Sequence, residues 1–176
     1  ILEKNTKKKI KKEFIAYSWP LLFSVAVSEI FFWADSLFIG YFKGATYVGF
    51  YNAAVPIVLL LMIIPEIFLK LFFPLITKEY SKGRFETVKQ LSQQVGKWIL
   101  ILNIPLFLIM FLFPGVIINF LFGSEYLAGE WSLRFLAIGI LFYSIFLISE
   151  SLLSMAGKSK IVLFNMIIAC IINIVL

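Results

Sequence analysis

Five apolar runs, each near or above the length that crosses a lipid bilayer, constrain this chain more than any other feature. A hydrocarbon core about 30 Å thick takes roughly 20 apolar residues at about 1.5 Å per residue. The runs cover residues 14–41, 48–74, 95–122, 131–156 and 161–176, the third as a full run to Phe113 with a short continuation to Phe122. The fifth has advanced only about 24 Å when it stops at Leu176. Backbone polar groups in lipid must be satisfied within their own segment, and these runs are far too long for barrel strands. The expected fold class is therefore all-α: a polytopic transmembrane helix bundle of about five helices, the fifth truncated.

Composition excludes the soluble alternative and most chemistry. The chain is 61% hydrophobic and only 15% charged, against about 25% charged in an ordinary soluble domain, and it could not hide that much apolar surface from water. There is no histidine and one cysteine, Cys170. Histidine catalysis, Cys/His zinc sites and an internal disulfide are excluded, and Cys170, inside an apolar run, reads as a small buried hydrophobe. No phosphate-binding glycine loop, metal-ligand cluster or nucleophile with a neighbouring base is present. The chain is expected to be no enzyme, to hold no metal and to need no cofactor.

Charge gives the crossings a direction. Lys4, Lys7, Lys8, Lys9, Lys11 and Lys12 form one basic block, and Lys70, Lys78, Lys82, Arg84, Lys89 and Lys97 a second. With Lys158 and Lys160, fourteen of the sixteen Lys/Arg fall on one side. The opposite connections hold only Lys43, with Arg134 just inside the next run, and carry Glu125 and Glu130. The positive-inside rule then places residues 1–13, 75–97 and 157–160 in the cytoplasm. Apolar runs flank both basic blocks, so their partner is expected to be anionic membrane lipid and not nucleic acid. Residues 77–94 read as an interfacial helix, since Phe85, Val88, Leu91, Val95 and Trp98 recur at helical spacing against a polar face. Ile10, Phe14 and Tyr17 give a shorter version near the N-terminus. The first residue is Ile1 and the last run is still in progress at Leu176, so the chain is expected to be a fragment.

Ionisable side chains inside a crossing cost about 2.5–3.5 kcal/mol each on insertion scales, which makes them functional candidates. Glu29, Asp35, Glu66, Arg134 and Glu150 qualify. Glu29 and Asp35 are six residues and about 120° apart on a helix, so one is expected to face a polar cavity and the other a neighbouring helix. Arg134 lies at a depth similar to Asp35 and is expected either to pair with it or to reach the outer headgroups. Glu66 and Lys70 are four apart in the favourable order for an in-helix pair. They are expected to neutralise each other or to line a cavity, with Lys70 as an anion contact. Glu150 either reaches the interface or, as a carboxylate in a low dielectric, couples transport to H+ or Na+. Pro56, Pro65 and Pro105 are interior to crossings, where they either act as bending points or leave a static kink.

Three phrases resemble the polysaccharide flippases of the multidrug/oligosaccharidyl-lipid/polysaccharide exporter superfamily. They are WADSLFIGYFKGATYVGFYNAAVPI at 33–57, FFPLITKEYSKGRFETVKQL at 72–91, and INFLFGSEYLAGEWSLRFLAIG at 118–139 followed by LLSMAGKSK at 152–160. The resemblance spans nearly the whole chain, and it looks most like the first five helices of the second lobe of a two-lobe exporter. It implies alternating access around a central cavity, with an undecaprenyl- or dolichyl-type lipid-linked oligosaccharide as substrate and the remainder of the chain as partner. It implies a cytoplasmic-membrane location, with Asp35, Glu29, Glu66 and Lys70 at the cavity. Family cavities are rich in basic residues, and the candidates here are Lys70 and Arg134 only. A drug/cation antiporter of the same superfamily is the sibling reading. A membrane glycosyltransferase or polymerase would need a large outer loop, and a non-transporting scaffold leaves the membrane carboxylates without a reason.

Overall fold

A computed structural model describes the backbone of residues 2–175 and the side chains of residues 14–172. The described residues form six α-helices and no strand: α1 (Leu2–Lys43), α2 (Ala45–Ser81), α3 (Phe85–Leu112), α4 (Pro114–Phe122), α5 (Glu130–Met155) and α6 (Ser159–Val175). A 3-10 turn over Ser124–Gly129 joins α4 to α5. Four stretches, Phe14–Lys43, Ala45–Ser81, Phe85–Leu112 and Ser124–Met155, are long and apolar enough to cross a membrane, and Ser159–Ile172 is apolar but shorter. The protein is thus an all-α polytopic bundle, as its run lengths require.

One feature differs in detail from the sequence reading. The polar segment 77–94 is not one separate helix: residues 77–81 complete α2, a turn follows, and α3 runs unbroken from Phe85 into the third crossing. The reason is phase. Val88, Ser92, Val95, Ile99, Asn103 and Met110 are all buried and recur at helical spacing, so one buried stripe passes from the polar turns into the apolar ones. At the other end of that crossing the helix breaks at Phe113, where Pro114 lacks the amide to continue it and instead opens α4. The interior prolines, by contrast, leave α2 and α3 continuous.

Two helix ends that are followed by lysine or arginine share one device. Arg84 N–H donates to the Glu79 carbonyl at 3.1 Å and Gly83 N–H to the Tyr80 carbonyl at 2.9 Å. Lys158 and Gly157 do the same toward Leu153 and Ser154, at 3.0 and 3.1 Å. Both are Schellman caps, and Gly83 and Gly157 supply the positive φ, 73° and 72°, that the motif needs. Lysine or arginine beside each helix C-terminus also complements the negative end of the helix dipole.

The chain divides into two compact units. The larger, residues 39–149, packs α2 against α3, with α4 and the 3-10 turn against the start of α2. Its core joins Ala54, Ile57, Val58 and Leu61 of α2 to Met110, Ile118, Leu133 and Ala137. Small residues such as Ala54 and Ala137 let the helices approach closely. At Gly129, a Cβ would lie 2.5 Å from the Phe50 carbonyl oxygen, so only glycine fits there. The smaller unit, residues 1–38 with 150–176, is tied by Tyr17 Oη donating to the Ser154 carbonyl at 2.9 Å and Ser28 Oγ to Met166 Sδ at 3.7 Å. Ser24 and Ser28 also donate to carbonyls four residues back, which satisfies these hydroxyls within α1.

Candidate functional site

The most informative surface is one face of α2. Glu66 and Lys70 form the in-helix ion pair that their spacing allows, with Lys70 Nζ 3.3 Å from Glu66 Oε2. The pair lies outside the packed core: the two side chains are 54% and 77% exposed. At 3.6 residues per turn, Asn52, Glu66, Lys70 and Thr77 fall within about 40° of one another around the helix axis, over a length of about 37 Å. All four are exposed. Within the apolar crossing, Asn52 lies near one end and the Glu66–Lys70 pair nearer the other, with exposed Leu59 and Ile63 between them on the same side, all facing away from the core of Ala54, Ile57, Val58 and Leu61. Hydrocarbon would be a costly neighbour for that pair. Water, a polar ligand or other protein would not.

The smaller unit holds the remaining carboxylates. Glu29 is exposed and Asp35 half-buried on α1, the latter sharing its half-buried or buried side with Ser24, Ser28 and Ala34. The six-residue spacing thus gives the two different environments, as helix geometry requires. Glu150, at the end of α5, is half-buried, and its Oε2 is enclosed without a hydrogen-bond partner among the described residues. Asp35 belongs to the smaller unit and Arg134 to the larger.

Arg134 is held in the larger unit at two points. Its Nε donates to the Phe111 carbonyl at 3.2 Å, in the last turn of α3, and its guanidinium lies 4.7 Å from the centre of the Trp131 ring. A helix C-terminus leaves carbonyls without intrahelical donors, and Arg134 satisfies one of them.

Two features were absent from the sequence reading. Asn103 on α3 is fully buried, and neither its Nδ2 nor its Oδ1 has a partner among the described residues. A polar residue in the run ILILNIPLFLIM was the available signal. At the turn after α2, buried Glu79 receives Lys82 Nζ and Arg84 Nη1, both at 3.0 Å. The hydrogen bond from Lys82, reinforced by Arg84 and opposed by burial, holds the Glu79 carboxyl below the ordinary carboxylate value. Among the described residues no group of three or more His, Cys, Asp or Glu could hold a metal ion.

Comparison with known proteins agrees with this architecture. The MatE family model matches residues 20–176. An uncharacterized membrane protein of Methanocaldococcus jannaschii is 28% identical over 155 residues, 88% of this chain and 31% of that protein. A Shigella flexneri protein named "Putative O-antigen transporter" is 27% identical over 158 residues, 88% of this chain and 36% of that protein. The chain spans about a third of the length of these curated relatives. No solved structure matches it significantly.

Proposed function

Since the chain belongs to the MatE family, a family of membrane transporters, we propose that it forms part of one lobe of a flippase for lipid-linked oligosaccharides. The observation that carries this reading is the Glu66–Lys70 pair of α2, exposed within an apolar crossing. A helix that must cross lipid keeps an ion pair at Glu66 and Lys70 and polar side chains at Asn52 and Thr77 on the side away from its own core. Such a pair belongs on the wall of a hydrated cavity, and a polar saccharide and its phosphates need that wall. The relative with O-antigen transporter in its name supports the substrate class.

In this reading the lysine-bearing ends of the helices face the cytoplasm, because basic residues resist translocation. Glu66 and Lys70 line a cavity, Lys70 offering its ammonium to the anionic carrier, and Asp35 and Glu29 are the carboxylates that α1 brings to transport within its own unit. Arg134 sits at the opposite end. Glu150, with one carboxylate oxygen enclosed and unpaired, is the candidate for coupling to H+ or Na+. No covalent step is needed: binding favours one arrangement of the lobes, and release favours the other.

The test is complementation of a deletion strain with the full-length gene. Neutralising Glu66 and Lys70 together, and Asp35 and Glu29 together, is expected to stop polysaccharide export while the protein still reaches the membrane, with lipid-linked precursor accumulating inside. Export that continues at the wild-type rate in both variants would end the assignment. Loss of drug resistance with intact export would identify the antiporter of the same superfamily, a reading favoured by the number of carboxylates.

A further inference from the structure

We propose that the groove beside Arg134 is a binding site for the phosphate of a membrane phospholipid, at the surface where α3 ends and α5 begins. The groove, about 360 Å³, is lined by Phe111, Leu112, Trp131, Arg134, Phe135 and Ile138. All six belong to the larger unit. Five of the six walls are apolar, so Arg134 alone gives the site its charge.

That charge is oriented. The Nε bond to the Phe111 carbonyl and the Trp131 ring under the guanidinium fix the plane of the group. Neither contact uses the two terminal nitrogens, which have no partner among the described residues. A planar fork with terminal N–H donors matches two oxygens of a phosphate. The nearest carboxylate along the helix does not compete for it. Glu130 is turned toward Gly115, where its Oε2 would lie 3.1 Å from a Cβ.

Depth decides which phosphate. Arg134 lies one turn inside the first residue of α5, and Phe111 lies in the last turn of α3. Both helices cross the bilayer, so the guanidinium sits where headgroups meet acyl chains, the level at which tryptophan also concentrates. An anion at that level with hydrocarbon attached is a lipid phosphate, and the phospholipid of the bilayer itself is the one that surrounds every copy of the protein. Its phosphate would meet the fork, and its acyl chain would descend along Phe135 and Ile138. This site does not depend on what the protein transports, so its failure would leave the flippase reading untouched.

The experiment is native mass spectrometry of the full-length protein in detergent, with phosphatidylglycerol, with diacylglycerol of the same acyl chains, and with inorganic phosphate as probes. Wild-type protein is expected to retain one phosphatidylglycerol more tightly than the rest and to retain diacylglycerol poorly. Arg134→Gln is expected to weaken that retention about tenfold. Arg134→Lys is expected to restore only part of it, since an ammonium keeps the charge but loses the fork and the flat face for Trp131. Because Arg134 also caps α3, Ile138→Trp serves as a second variant: it fills the groove, leaves the guanidinium contacts in place and is expected to release the lipid equally. Undiminished retention by Arg134→Gln or Ile138→Trp would overturn the proposal. So would equal retention of diacylglycerol, or displacement of the lipid by inorganic phosphate at the same concentration.

Discussion

Replacing Asn103 by leucine is expected to make this protein more stable. The residue lies on the buried stripe of α3 between Ile99 and Met110, with no exposed surface, and both atoms of its amide lack partners among the described residues. Leucine has the same branching at Cγ, so the exchange removes polarity while nearly keeping shape. An unpaired buried donor or acceptor costs about 1–3 kcal/mol relative to water. Two of them would cost about 2–6 kcal/mol in a soluble core on the same scale. In a bilayer most of that cost falls on insertion, because the separated helices have already left water, and interhelical polar contacts average only about 0.6 kcal/mol. The share recovered on packing is then about 1 kcal/mol, roughly a fivefold change in the folded-to-unfolded ratio. Equilibrium unfolding of the full-length protein in mixed micelles, titrated with sodium dodecyl sulfate, measures it directly. A loss of about 1 kcal/mol or more for Asn103→Leu would refute the reasoning, since it would mean that the amide is satisfied in the native protein.

Gly129→Ala is expected to destabilise the protein by about 1–3 kcal/mol, because the added methyl meets the Phe50 carbonyl oxygen, a backbone atom that cannot rotate away; the same micelle titration reads it. Glu79 lies beyond the apolar part of α2, and its lowered pKa gives a signed expectation. Its contribution is fully present above the ordinary carboxylate value of 4.5 and is lost as the pH falls through the lowered folded value. Protection against hydrogen exchange across residues 79–88, taken relative to the intrinsic rate at each pH, should therefore fall on acidification in the wild type and should depend less on pH in Glu79→Gln. Glu66→Gln alone and Glu66→Gln combined with Lys70→Met should give similar folded yields, because an ion pair more than half exposed to water is worth under about 1 kcal/mol. A clearly lower yield for the single variant would show that the pair is held away from water.

The crossings were legible in the sequence because run length can be compared directly with bilayer thickness, and nothing tertiary enters that comparison. Helix boundaries beside the basic residues were less legible. The helical spacing of Phe85, Val88, Leu91, Val95 and Trp98 marks the helix that leads into the third crossing, and α3 is continuous from Phe85 because Val88, Ser92, Val95 and Ile99 keep that phase; what the spacing did not mark is that residues 77–81 belong to α2. The true break, at Lys82–Arg84, is set by Gly83 in a Schellman cap, which is a local signal. The Glu66–Lys70 pair was legible for the same reason: both partners lie on one turn of one helix. Arg134 was not, since its acceptor on Phe111 is 23 residues away and is available only because Pro114 ends the preceding helix. Asn103 was missed because the search stopped at full charges, whereas a buried amide in an apolar run raises the same question of satisfaction.

Exposure sharpens the functional argument. The four long helices bury only 11–22% of their apolar windows within this chain, so most of their surface must be covered by something else. Lipid can cover the faces that carry Leu60, Ile67 and Leu71 of α2, all exposed and all hydrophobic. It cannot cover Glu66 and Lys70 at comparable cost, because each charge held against hydrocarbon forfeits about 2.5–3.5 kcal/mol. The two kinds of exposed surface on one helix therefore require two kinds of neighbour. One is the bilayer. The other is polar, lies against Glu66 and Lys70 and is wet enough to solvate an ion pair that is more than half exposed. A lipid-linked saccharide has the same division, a hydrocarbon tail and a polar head, and a helix that divides its surface between the two solvents suits a cavity that carries the head while the tail stays in lipid.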